Sequence, residues 1–135
     1  MWTTEHTATS PLPRPRIWAA VRDLHTGALR YPGADAFELH GDFAVGTELT
    51  VIPEGQEPIR SRICDLVEDE TYADITDLGD VTLVFRYRLD DVDGGTRVRY
   101  SLVIDGPAAD TVGGELGPQI SADFPASLAA LLERA

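Results

Sequence analysis

The sequence predicts an α+β domain in which one antiparallel sheet of about seven strands packs against a long C-terminal helix. Three observations predict it. Residues 36–105 divide into short strand-like runs with turn-rich connections, the pattern of a meander. Two apolar stripes at helical spacing bracket those runs, one near each end of the chain. Between the last two runs, Asp93-Gly94 is a strong two-residue hairpin signal, because both central positions of such a turn favour positive φ.

Taken in order, residues 2–9 (WTTEHTAT) alternate and are rich in Thr, which reads as a strand. SPLPRPR ends it. Pro15 suits a first helical turn, and Ile17, Trp18, Val21 and Leu24 form an apolar helical stripe. HTGALRYPGAD reads as a short helix and a loop. AFELHG, GTELTVI and EPIRSRICDLVED are three successive strands, separated by GDFAVG and PEGQ. TYADIT, VTLVFRYRLD and TRVRYSLVIDG complete the set.

Counting outward from Asp93-Gly94 pairs Leu89 with Val98, Tyr87 with Tyr100, Phe85 with Leu102 and Leu83 with Ile104. The alternate set is Arg88 with Arg99, Arg86 with Ser101 and Val84 with Val103. Each set occupies one face. Two arginines opposite each other repel if buried, so that face is wet and the tyrosines point inward. A one-residue shift of the turn would exchange every face.

After Gly106-Pro107 the spacing becomes helical again, through Leu116, Ile120, Phe124, Leu128 and Leu131 or Leu132. Gly113, Gly114 and Gly117 weaken the start of this helix. Pro118 can restart it, and Pro125 kinks it by removing a backbone donor. An antiparallel sheet buries one face, and only this helix is long enough to cover it. A space left between them is a natural ligand site.

The 135 residues are enough for one domain with a sizeable core, predicted over 1–135. A net charge of −12 argues against nucleic acid or an anionic membrane surface as partner, since both need clustered cations. All eleven cations are Arg, which reads as the imprint of a GC-rich genome. The single cysteine, Cys64, excludes an internal disulfide and fits a reducing cytoplasm. No apolar run is long enough to insert in a membrane, and MWTTEHTATS lacks the features of a signal peptide.

WTTEHT, IWAAVRDL, FELHGDFAVGTELT and GGTRVRYSLVIDGPAA resemble the START/Bet v 1-like (SRPBCC) superfamily, and most closely its bacterial polyketide cyclase/dehydrase and lipid-transport branch. The resemblance covers nearly the whole chain, and its motifs are mostly structural. It implies the helix-grip fold, a curved seven-stranded antiparallel sheet wrapped around a long C-terminal helix and a deep apolar cavity. It also implies a small hydrophobic ligand, polyketide- or lipid-like, as partner. A cofactor-independent cyclase or dehydratase is one activity in the family. A lipid or metabolite carrier or sensor and a co-chaperone-type interaction module are others, and fold alone does not choose among them. Many relatives carry histidine near the positions of Tyr87 and Tyr100, where this chain departs from the pattern.

Within that frame Tyr87 and Tyr100 line the cavity with two phenols, and buried phenols require a hydrogen-bond partner. The alternative to this lining is plain core, with the two hydroxyls satisfied by each other or by the backbone. Phe85, Leu102, Ile120, Phe124 and Leu128 supply apolar wall, and Trp18 packs the first helix on the sheet. His6, on the Trp2, Thr4, Ala8 face, would approach the phenols as a general base near neutral pH, unless Thr3, Glu5 and Thr7 face inward instead. Asp74 shares a face with Tyr72 and Thr76. If that face is inward, Tyr72 joins the lining and burial raises the Asp74 pKa into the range of a proton acceptor. The rival face, Thr71, Ala73 and Ile75, would leave Asp74 wet. His25 and His40 flank loops, Cys64 reads as a small hydrophobe, and no metal-ligand spacing or nucleotide fingerprint is present, so neither metal nor cofactor is expected. The sequence leaves monomer and homodimer open.

Overall fold

The computed structural model describes residues 1–135. Seven strands form one antiparallel sheet: β1 (Trp2–Ser10), β2 (Ala36–Leu39), β3 (Glu48–Ile52), β4 (Ile59–Val67), β5 (Thr71–Asp77), β6 (Thr82–Val92) and β7 (Gly95–Asp105). Their order is β1-β7-β6-β5-β4-β3-β2, so the first strand in sequence closes against the last and the rest run as a meander. Helix α1 (Arg14–Thr26) carries the chain from one sheet edge to the other, and α2 (Ala109–Ser121) and α3 (Phe124–Arg134) follow β7. No helix is long and apolar enough to cross a membrane.

The β6–β7 register is the one counted from the turn, with Leu89 opposite Val98, Tyr87 opposite Tyr100 and Arg88 opposite Arg99. The turn itself differs in one respect. Gly94 has φ +82°, while Asp93 remains at negative φ, so one glycine does the work expected of two positions. Gly95 is needed for another reason. A Cβ there would strike the Ser10 carbonyl at the end of β1, and its φ of +157° disfavours side chains as well.

The arginine face lies outside and is laced with acids. Arg99 reaches Asp90 at 2.6 Å, Arg97 lies 3.8 Å from the same carboxylate, and Arg86 reaches Asp65 at 3.3 Å. The opposite face carries the core, which divides into two clusters. The larger joins Ile17, Trp18, Val21 and Leu24 of α1 to Leu49, Ile63, Tyr72, Leu89 and Val98 of the sheet and Leu128 and Leu131 of α3. The smaller joins Leu83, Leu102 and Ile104 to Ala109 and Phe124. Each fully buried aliphatic side chain contributes about 1.5–3 kcal/mol.

Two segments differ from the sequence expectation. Residues 27–35 form no second short helix. Gly27, at φ +87°, caps α1 in the left-handed conformation, and a Cβ on it would come within 2.7 Å of the Phe37 carbonyl. The kink expected at Pro125 is a full interruption, with Ala122 and Asp123 between α2 and α3 and Pro125 in the first turn of α3. The glycines of α2 also have a purpose beyond weakening it. Trp2 of β1 lies against Gly113 and Gly117, so close that a Cβ on Gly113 would sit 2.6 Å from the Trp2 Cβ. Gly114, one position away, faces open space.

Candidate functional site

The two core clusters flank a cavity of about 640 Å³ between the inner face of the sheet and the α2–α3 segment. Its wall includes Val51 of β3, Ser61 of β4, Asp74 and Thr76 of β5, Leu83, Phe85 and Tyr87 of β6, and Tyr100 of β7. Leu24 and His25 of α1 close one side, and Leu116, Ile120, Phe124 and Ser127 of α2 and α3 close another. Its exposed border includes Gly33, Asp35, Gln56, Leu78, Gln119 and Asp123 from three loops, α2 and the α2–α3 break, together with Ile59 at the start of β4.

β5 presents Tyr72, Asp74 and Thr76 to the inside, each opposite an inward residue of β6: Tyr87, Phe85 and Leu83. Asp74 is 4% exposed. On its other side it pairs with Ile63, immediately before a bulge at Cys64 that shifts the β4–β5 register. Bulges re-aim side chains and occur beside functional sites. The Tyr72 hydroxyl donates to Asp74 Oδ2 at 2.8 Å. Burial pushes the Asp74 pKa up to about 7, and the Tyr72 hydrogen bond holds it from going higher. Beside this pair, Ser61 and Thr76 share a hydroxyl–hydroxyl hydrogen bond of 2.5 Å.

Tyr87 and Tyr100 stack with ring centroids 4.2 Å apart, and Tyr100 stacks in turn on Phe124 at 4.2 Å. Burial is the main cause of the upward shift of both phenols, so both stay protonated across the neutral range. They are not bases there, and because one hydroxyl engages the other, one of the pair is left to donate into the cavity.

Of the residues singled out from sequence, Asp74, Phe85, Tyr87, Tyr100, Ile120 and Phe124 meet around the cavity. Tyr72 is fully buried behind that wall, with only its hydroxyl directed to a lining residue. Leu102 and Leu128 are fully buried in the two core clusters and do not line the space. His6 stands directly opposite Tyr100 and shares the partly covered face of Trp2, Thr4 and Ala8, yet is not among the lining residues. Cys64 is partly exposed, with a thiol pKa raised chiefly by burial.

Sequence reasoning misses His25. The sequence sets it beside a loop; in the structure it occupies the last turn of α1, 3% exposed, and lines the cavity. Its ring stacks on Tyr72 at 3.9 Å. The spacing carries a signal: His25 follows Val21 by four residues, which places it on the apolar face of α1. No cluster of residues suited to hold a metal ion is present.

No protein-family model matches the chain, and no curated protein matches it in sequence. Solved structures do match it in fold. The Zhui aromatase/cyclase from Streptomyces sp. R1128 superposes with a TM-score of 0.72 at 18% identity, over 98% of this chain and 92% of that one. Ara h 8.0201, which is Bet v 1-like, gives 0.65 at 21% identity over 97% of both chains. A protein from Thermus thermophilus gives 0.72 at 14% identity, over 98% of this chain and 95% of that one. With the strand order and the C-terminal helical segment, these likenesses show that the chain has the helix-grip fold of those structures.

Proposed function

We propose that the protein binds a small, largely apolar, carbonyl-bearing molecule in the cavity and that Asp74 exchanges a proton with it, as in a cofactor-independent polyketide cyclase or dehydratase. The observation that carries this reading is a buried carboxyl on the cavity wall with a pKa raised to about 7. Such a group is divided between acid and base near neutral pH, where both forms are useful. The Asp74 carboxylate removes a proton from a methylene flanked by two carbonyls. The Tyr87 or Tyr100 hydroxyl donates a hydrogen bond to the enolate oxygen. The enolate carbon then bonds to another carbonyl carbon of the same chain, whose oxygen takes up a proton. Loss of that hydroxyl with a neighbouring proton, as water, leaves a double bond. The folded cavity supplies proximity between the two reacting carbons.

The test is turnover of a synthetic poly-β-ketone thioester by the protein and its Asp74→Asn variant. The reading expects a loss of about a hundred- to ten-thousand-fold with binding retained. Equal turnover by the two proteins sinks it. A carrier without chemistry is the second reading. Its support is the apolar majority of the wall, 14 of 25 lining residues, which favours binding by burial over fixed polar contacts.

A further inference from the structure

His25 Nδ1 lies 2.6 Å from the Val21 carbonyl oxygen. A carbonyl only accepts, so Nδ1 carries the proton and donates. In the neutral ring Nε2 is then an unprotonated acceptor. Burial lowers the His25 pKa to about 4, so the ring is neutral throughout the physiological range. The tautomer is therefore fixed by one backbone contact.

Nε2 has no partner within the protein. Arg99 Nε is the one side-chain nitrogen or oxygen sealed from solvent without a hydrogen bond, so Nε2 retains accessible surface. His25 lines the cavity, and the cavity is the space onto which a residue 3% exposed can open. The ring cannot readily turn away. It is stacked on Tyr72 at 3.9 Å, packed on Phe37 at 4.6 Å and edged by Tyr87 at 5.6 Å. An acceptor held in place inside a largely apolar space is costly when empty and selective when filled.

We propose that His25 is a specificity-determining residue whose Nε2 accepts a hydrogen bond from a hydroxyl of the bound molecule. This rests on the cavity being a binding site and deepens that reading. The hydroxyl that the Tyr87–Tyr100 pair leaves free to donate suits a carbonyl or ether oxygen; His25 suits an alcohol, enol or phenol. The ligand class that satisfies both carries a hydroxyl as well as a carbonyl on an apolar frame. A fully oxidised or fully methylated analogue leaves Nε2 unpaired and is rejected.

The experiment uses two probes of one shape, 2-naphthol and 2-methoxynaphthalene, titrated by calorimetry into the protein and its His25→Phe variant. Phe keeps the ring and its stacking and removes the acceptor. The expected result is a preference of about tenfold for the naphthol in the parent protein, lost in the variant through weaker naphthol binding alone. The ¹⁵N resonance of His25 Nε2 should also move on adding naphthol and stay in place on adding the ether. Equal affinities for both probes in the parent, or equal weakening of both in the variant, overturns the role of His25 and leaves the cavity reading standing. Failure of both probes to bind the parent overturns both. Should His25→Phe not fold, the nitrogen resonance decides: no movement with bound naphthol refutes the proposal.

Discussion

The Tyr72 hydroxyl and the Asp74 carboxylate meet at 2.8 Å on neighbouring inward positions of β5. The tyrosine ring is itself held between His25 at 3.9 Å and Phe43 at 5.9 Å. The donor is thus positioned by packing, and the carboxyl is positioned by the donor. Tyr72→Phe keeps the packing and removes the only hydrogen bond that favours the charged carboxylate. The Asp74 pKa should move further above 7, read by carbon NMR of the carboxyl. A downward shift would mean that water or another donor governs the site.

Two buried groups should give stability opposite slopes with pH. Asp74 has a pKa near 3.8 when free and about 7 when folded, so between those values the native state holds an extra proton. Its contribution therefore falls as pH rises through that window, by a few kcal/mol in all. His25 falls from 6.5 to about 4 on folding, so its contribution is complete above pH 6.5 and is lost as pH falls toward 4. The two effects oppose each other between about pH 4 and 6.5 and leave Asp74 alone above it. Urea unfolding at closely spaced pH should show a decline from pH 6.5 to 7.5. Asp74→Asn should abolish that decline, and His25→Phe should extend it down to about pH 4.

The wall and the core should separate by mutation. Leu128 is fully buried in the larger core cluster, so Leu128→Ala should cost about 2–5 kcal/mol of stability and change probe affinity little. Ile120 lines the cavity and is only partly buried, so Ile120→Trp has room to project into it. That variant should lose probe binding about tenfold or more while stability changes by about 1 kcal/mol or less. Calorimetric titration and urea unfolding of both variants check the contrast. The reverse pattern would place the binding space elsewhere.

The glycines of α2 make a similar pair. Gly117→Ala drives a methyl into the Trp2 ring and should destabilise by about 1–3 kcal/mol. Gly114→Ala meets nothing and should stabilise by about 0.5–1 kcal/mol through helix propensity. Denaturant midpoints of the two variants on either side of the parent would bear this out.

Much of this was legible because β-pairing is set locally. Asp93-Gly94 fixes the β6–β7 register, and with it the inward facing of Tyr87 and Tyr100. The face of Asp74 was not legible, since Tyr72/Asp74/Thr76 and Thr71/Ala73/Ile75 are equally mixed in polarity. What decides it is the register against β4 and β6, including a bulge at Cys64 that no turn residue announces. His25 was hidden for a different reason. Its neighbours Tyr72 and Phe37 come from distant strands, and only the helical spacing from Val21 hinted at burial. Gly113 and Gly117 read as weakness because their partner, Trp2, lies more than a hundred residues away.

The seating of Trp2 on α2 gives the molecule a built-in optical division. The chain has two tryptophans. Trp2 reports through its glycine groove on α2, while Trp18 lies in the larger cluster with its ring 6.3 Å from Phe43, on the Tyr72 side. Emission from a Trp18→Phe variant would follow the helical cover, and emission from a Trp2→Phe variant would follow the aromatic packing that runs through Phe43 to Tyr72. A ligand that enters by lifting α2 would change the first signal before the second, and one that enters without disturbing the cover would change only the second.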